Sequence, residues 1–264
     1  MAVMNNTEAV KEQYSDDKNL SIRFKLHSKY STNKLGLIPW LFEKYEFCSG
    51  FNILELGCGN AKQWEVNIDK LPPNCTLTLT DFSGGMAETV RRKFSNNINV
   101  VVQQVDIQNI PFDNACFDAV IANHMLYHIP DLDKALTEVN RVLKPRGKFY
   151  ATTNGNGGMR TFLKDAFKTV NPAINAFTHD YSFSLQNGEE LLHRYFTQVR
   201  RFDYEDSLAI TKTQDLIDWL KSSVTIASYE EGDLDGLFEY FEAIRKRDGA
   251  INIKKEAGLF IALK

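Results

Sequence analysis

Cysteine is scarce in this chain and badly spaced for cross-linking: Cys48, Cys58, Cys75 and Cys116 are the four among 264 residues. With no C-x-x-C pair, neither a zinc site nor a disulfide framework is indicated, and reduced thiols in a cytoplasmic protein are the expectation. Long apolar runs are also missing. Residues 1–18 are polar and lack the apolar stretch of a signal peptide, so no membrane partner is expected. An excess of positive charge is absent too, the net charge being −3, which argues against a general polyanion binder and so against a nucleic-acid partner. The short clusters Arg91-Arg92-Lys93, Arg200-Arg201 and Arg245-Lys246-Arg247 read as solvated charges at helix or strand ends. No G-x-x-x-x-G-K-[ST] occurs, so a phosphate-cradling loop of that type has no support. The dinucleotide pattern G-x-G-x-x-G fails as well, since Lys62 stands where its third glycine belongs.

What the chain does contain is an apolar strand that delivers a carboxylate into a glycine turn, Ile53-Leu54-Glu55-Leu56-Gly57-Cys58-Gly59-Asn60-Ala61. Glycine reaches positive φ and leaves the main chain open to a ligand, so a side chain at Gly57 or Gly59 would obstruct a nucleoside lying on the turn. A second β-branched run, Thr76-Leu77-Thr78-Leu79-Thr80, ends at Asp81, where an acid is well placed for a ribose diol. A third, Asn99 to Val105, ends at Asp106, and a fourth runs from Phe117 to Ala122. One acid at a strand end is ordinarily a helix cap or a solvated loop residue. Three in succession point to a shared ligand.

These motifs resemble the class I S-adenosylmethionine-dependent methyltransferases, within them the small-molecule branch that includes the ubiquinone/menaquinone C-methyltransferase-like enzymes. The resemblance is strong over about residues 50–155 and weak elsewhere. It implies that Glu55, Gly57, Cys58 and Gly59 form the first motif, whose turn holds the methionine part of the cofactor, with Ala61 where a third glycine is common. It implies that Asp81 binds both ribose hydroxyls, that Phe82 lies beside the adenine, and that Asp106 and Ile107 contact its amino group and ring. The run from Phe117 through Asn123, His124 and Tyr127 to His128 matches the motif that leads into the active site, and Leu143 to Lys148 matches the turn into the fifth strand. In related enzymes a segment before the first helix folds over the cofactor, and Tyr30 is the residue expected near the cofactor's carboxylate.

Alternating strands and helical stretches (Lys62 to Asp69, Gly85 to Phe94, Leu132 to Leu143) predict a doubly wound α/β fold, a seven-stranded, mostly parallel, Rossmann-like sheet. Ligands in such sheets bind beyond the carboxyl ends of the strands, where Gly57, Asp81, Asp106 and Asn123 would gather. The expected divisions are an N-terminal helical lid (1–49), a cofactor-binding core (50–155), an inserted cap (156–196) and a C-terminal part of the core with a helical insertion (197–264). Ile38, Leu41, Phe42 and Tyr45 predict a helix in the first of these. Asn154-Gly155-Asn156-Gly157-Gly158 reads as a hinge, and the aromatics after it serve either as an apolar cover or as a small helical core. Strands are expected at Gln198 to Asp206 and Ile251 to Leu263, with helical spacing between them.

The function expected is methyl transfer to oxygen, nitrogen or carbon of a small acceptor, by a monomer or homodimer. Positioning supplies much of such catalysis, and a base is needed only where the acceptor must lose a proton. His124 and Tyr127 are the catalytic candidates, with His27, Tyr30 and His128 as further ones. His128, followed by Ile129-Pro130-Asp131, also reads as a support for the next helix. No metal is expected, because the remaining histidines show no ligand-like grouping. An RNA or protein methyltransferase, or a non-catalytic cofactor-binding protein, is the alternative; the absence of an Asn-Pro-Pro-Tyr signature disfavours an exocyclic base-amine target.

Overall fold

A computed structural model describes residues 18–223, 225, 226, 229 and 231–264. Its strands are β1 (Asn52–Leu56), β2 (Thr76–Asp81), β3 (Val100–Gln104), β4 (Phe117–Asn123), β5 (Leu143–Asn154), β6 (Gln198–Tyr204), β7 (Ser207–Ile210), β8 (Ile251–Lys254) and β9 (Ala257–Leu263). Its α-helices are α1 (Lys18–Tyr30), α2 (Leu37–Lys44), α3 (Lys62–Glu65), α4 (Gly84–Lys93), α5 (Leu132–Val142), α6 (Met159–Val170), α7 (Gly188–His193), α8 (Thr213–Lys221) and α9 (Leu237–Asp248).

The main sheet has seven strands in the order β3-β2-β1-β4-β5-β9-β6. From β3 to β5 every pairing is parallel, whereas β9 runs antiparallel between β5 and β6. This is the Rossmann-like sheet expected from the alternation of elements. Ile53, Leu54 and Leu56 of β1 and Val120, Ile121 and Ala122 of β4 are almost wholly buried. Their near-continuous apolar character is what a strand covered on both faces requires.

The helices cover the sheet because their apolar residues recur on one face. Ala135, Leu136, Val139 and Val142 of α5 form such a stripe in the core that contains Val120 and Phe149, while Asp131 caps the helix by accepting the Lys134 N–H at 2.9 Å. Each large aliphatic side chain so buried contributes about 1.5–3 kcal/mol relative to exposure. Trp64 and Leu41 belong to the core on the other face, with Leu77, Tyr150 and Ile261.

The C-terminal strand differs from expectation. Ile251 to Leu263 is two strands, split at 255–256: β9 enters the main sheet, while β8 pairs with β7 as a separate two-stranded antiparallel sheet. That small sheet nucleates a second core, in which Leu208, Ile210, Ile251 and Ile253 pack with Leu163 and Phe167 of α6, Leu216 and Leu220 of α8, Leu237 and Phe241 of α9, and Leu26 and Tyr30 of α1. The N-terminal helix, the 156–196 region and the 197–264 region therefore share one apolar cluster. The physical reason is area: none of these short elements can bury its apolar face alone. Residues 1–17 of the expected N-terminal lid lie outside the described residues. No helix among the described residues is long and apolar enough to cross a membrane.

Candidate active site

The turn after β1 adopts left-handed backbone at Gly57 (φ 68°), Gly59 (φ 55°) and Ala61 (φ 56°). A Cβ at Gly57 would stand 3.0 Å from the Cβ and Cγ of Met125, and one at Gly59 would stand 3.0 Å from Leu20 Cδ2 of α1. Both sites are thus closely covered, one by the loop after β4 and one by the N-terminal helix. The turn is stitched to β2: the Cys58 N–H donates to the Thr80 carbonyl at 2.8 Å, and the Gly59 N–H donates to Asp81 Oδ2 at 2.8 Å. Asp81 Oδ1 accepts from the Ser83 N–H at 2.8 Å, and Ser83 in turn caps α4. Burial raises the Asp81 carboxyl above the ordinary range, opposed by the N–H groups of Ser83, Gly59 and Phe82.

Glu55 is buried at the end of β1, where it accepts hydrogen bonds from Trp64 Nε1 and, at 3.0 Å, from Asn123 Nδ2. Burial pushes its pKa up to about 7, against the pull of those two donors and with a further push from Asp81. Asn123 is fully engaged: its Oδ1 accepts from Thr152 Oγ1 at 2.7 Å, and it bonds the Tyr45 hydroxyl. Beyond β3, Asp106 Oδ1 accepts from the Gln108 N–H at 2.9 Å and Ile107 is buried, while the Phe82 carbonyl accepts from Gln104 Nε2 at 2.9 Å.

His124 follows Asn123 with φ 52°, held there as its N–H donates to the Thr152 carbonyl at 2.9 Å. The residue is only partly covered, yet its Nε2 is shut off from solvent with no hydrogen-bond partner. Burial and then the Lys255 charge press its pKa down to about 4. His27 of α1 is in the same electrostatic neighbourhood: its Nδ1 is likewise buried and unpartnered, and burial, Lys255 and His124 hold its pKa down to about 3. Tyr127 packs on His128, ring centroids 4.6 Å apart, and on Tyr181 at 4.9 Å.

The structure gathers Glu55, Gly57, Cys58, Gly59, Asp81, Phe82, Asp106, Ile107, Asn123, His124 and Tyr127 at or just beyond the carboxyl ends of β1 to β4. Tyr30 is directed elsewhere. Its hydroxyl donates to Asp215 Oδ2 of α8 at 2.7 Å, and its ring sits in the second core. Sequence reasoning missed Tyr45, which read as the end of the apolar stripe of α2 but follows that helix in extended backbone, and Met125 and Leu20, whose cover over the glycine turn has no local signature. A surface cleft of about 270 Å³, lined by Ile68, Asn74, Cys75 and Asn99 among others, lies at the opposite, amino end of β2 and holds none of these groups.

Residues 54–151 match the family described as "Methyltransferase domain". A demethylmenaquinone methyltransferase of Staphylococcus carnosus is 34% identical over 157 residues, 59% of this chain and 58% of that protein. The sterol 4-C-methyltransferase strm-1 of Caenorhabditis elegans is 34% identical over 110 residues, 40% of this chain and 32% of that protein. The chain therefore spans less than two thirds of the length of either curated relative. Among solved structures, the YcgJ protein from Bacillus subtilis superposes with a TM-score of 0.61 at 15% identity, covering 86% of this chain and 97% of that one, which is a likeness of fold. The two left-handed glycines, which a side chain would fill, and the buried acid bonded to their turn fit an adenosyl cofactor, and they lie within residues 54–151, the part of this chain that is similar to that methyltransferase family.

Proposed function

We propose that the protein transfers a methyl group from S-adenosylmethionine to a small-molecule acceptor. The observation that carries this reading is the bond from the Gly59 N–H to Asp81, which joins the glycine turn after β1 to the acid ending β2. When bound, the cofactor supplies an activated methyl on a positively charged sulfur. Gly57, Cys58 and Gly59 would hold it along the backbone and Asp81 at the ribose, with Phe82, Asp106 and Ile107 around the adenine. Glu55 and Asn123 brace this frame, each through the other.

His124 is the proposed proton acceptor for a substrate that must ionise. Its depressed pKa keeps it neutral near pH 7, and its Nε2 is uncommitted. Tyr127 would line the acceptor's path with its ring. Residues 1–49 are proposed as a lid and 156–196 as a cap; the contact of Leu20 with Gly59 supports the first, the bonds of 156–187 around Asn156 and Ser184 the second. Tyr30 would then act on the lid, by fixing α1 to α8. The relatives' names, a demethylmenaquinone and a sterol methyltransferase, support an acceptor with an apolar body.

Calorimetric titration with S-adenosylhomocysteine tests the reading. Wild-type protein should bind it, and Asp81→Ala should weaken binding at least tenfold, in line with loss of charge-assisted hydrogen bonds of about 1.5–3 kcal/mol. Equal affinity in the variant would show that the ribose is held elsewhere. Binding without label transfer to any of a panel of quinols, phenols, sterols and carboxylic acids would favour a non-catalytic cofactor binder.

A further inference from the structure

Arg160, at the start of α6, is a buried cation with no counter-charge. Only 8% of it is exposed, its Nη1 has no hydrogen-bond partner, and among the described residues it makes no ion pair. Shutting part of a guanidinium off from water, here Nη1, without a compensating anion is unfavourable, and an anion supplied from outside the fold would relieve it. The guanidinium lies 4.7 Å over the ring of Tyr181 and 5.9 Å over that of Phe177. Such stacking orients the planar group but does not neutralise it. Tyr181 in turn packs 4.9 Å from Tyr127, in the loop that follows Asn123 and His124, so the cation reaches the acceptor side of the active site through a single ring.

The carboxylate of the neighbouring hinge is committed elsewhere. Glu256 accepts from the Gly157 N–H at 3.0 Å and from Gln186 Nε2 at 3.3 Å. It is seated so tightly that a Cβ at Gly155 or Gly157 would collide with its carboxylate oxygens. This contact fixes Glu256 on the hinge. Tyr181 is fixed as well, its N–H donating to Asn156 Oδ1 at 2.9 Å.

The geometry points to Arg160 as the receptor for a carboxylate carried by the methyl acceptor, which makes the acceptor a carboxylic acid with an aromatic or apolar body. This rests on the methyl-transfer reading. One fork-shaped cation matches the two oxygens of a carboxylate, and the flanking Tyr181, Phe177 and Tyr127 rings suit a flat apolar frame. A phosphate, with more charge and more acceptor oxygens, would call for further donors beside it.

The test titrates the full chain, loaded with S-adenosylhomocysteine, with benzoate, the neutral isostere benzamide and inorganic phosphate. Benzoate should bind at least tenfold more tightly than benzamide or phosphate, and Arg160→Gln should abolish the preference while Arg160→Lys retains part of it. Removal of an unpaired buried charge should leave the thermal midpoint of Arg160→Gln unchanged or higher. Benzoate binding no better than benzamide, or not at all, overturns the proposal, and so does preference for phosphate. A sharply lowered midpoint in Arg160→Gln would also overturn it, by showing the arginine to be a packing element. If S-adenosylhomocysteine fails to bind while benzoate still binds the free wild-type chain more tightly than it binds Arg160→Gln, the carboxylate site stands and the methyl-transfer reading fails.

Discussion

Gly57 and Ala61 occupy the same left-handed region of backbone space at two ends of one turn, with φ values of 68° and 56°. Alanine tolerates this at a cost of about 1–2 kcal/mol, and Ala61 is wholly buried among Trp64 and its neighbours, which offsets the strain. A β-branched residue at Gly57 has no such offset, because its Cβ meets Met125. Gly57→Val should therefore lose S-adenosylhomocysteine binding by at least 100-fold in calorimetry, with stability lowered by about 1–3 kcal/mol but the fold retained by circular dichroism. Normal binding would show that the turn is not the cofactor's seat. The types and spacing of Gly57, Gly59 and Asp81 were legible in the sequence because their chemistry is local. The isolation of Arg160 was not, since an arginine beside glycines and aromatics looks solvated until its surroundings are known.

At the scale of elements, the segment joining α1 to α2 is held to the turn before β7 by a carboxylate, beside the bond from the Thr32 N–H to the Ser207 carbonyl at 2.9 Å. Asp206, in the turn between β6 and β7, accepts from Ser31 Oγ at 2.6 Å and the Asn33 N–H at 3.0 Å, and pairs with Lys255 at 2.6 Å, its own side chain fully buried. Burial works to raise its pKa, but Lys255, Ser31 and Asn33 together hold it below the ordinary value. Asp206→Ala leaves Lys255 buried without a partner, so a loss of about 3–5 kcal/mol is expected in urea unfolding, with faster proteolysis within 31–36. A change below about 1 kcal/mol would mean that the pair is not holding the segment. Gly158, which opens α6 at φ 56°, is a second fixed point: a Cβ there would lie 2.8 Å from the Lys254 carbonyl. Gly158→Ala should destabilise by about 2 kcal/mol, since neither backbone can retreat without breaking the join between β8 and β9. The sequence marked the glycines around 155–158 as a hinge. The fold clamps them with Glu256, a contact 99 residues away in the chain.

For the whole molecule, titratable groups held within the fold set opposing dependences on pH. His27 and His124 have folded pKa values of about 3 and about 4, below the ordinary value of 6.5, so their contribution is fully present above 6.5 and is lost as pH falls through the window below it. Glu55, raised from 4.5 to about 7, acts the other way: its contribution is present below 4.5 and is lost as pH rises towards 7. Asp81, also raised by burial, acts on the same side as Glu55; the two histidine shifts together exceed the Glu55 shift, so the thermal midpoint should fall on acidification from pH 6.5 to 4.5. It should fall more steeply in Glu55→Gln, where an opposing group is gone. A flat profile in wild type and variant alike would refute this balance. The sequence by itself determined the parallel sheet and the ligand-facing strand ends, because hydrophobic period, glycine and terminal acids act within a few residues of one another. Helix α1 falls in the segment expected to be helical, but its partner did not follow from the sequence: only Leu26 and Tyr30 of it are buried, and they pack in the second core. The division of 251–263 into β8 and β9, the second core that draws on both ends of the chain, and the unpaired guanidinium of Arg160 were decided by tertiary structure alone, because each depends on which distant surfaces must be covered together and which charges are left without a partner once they are.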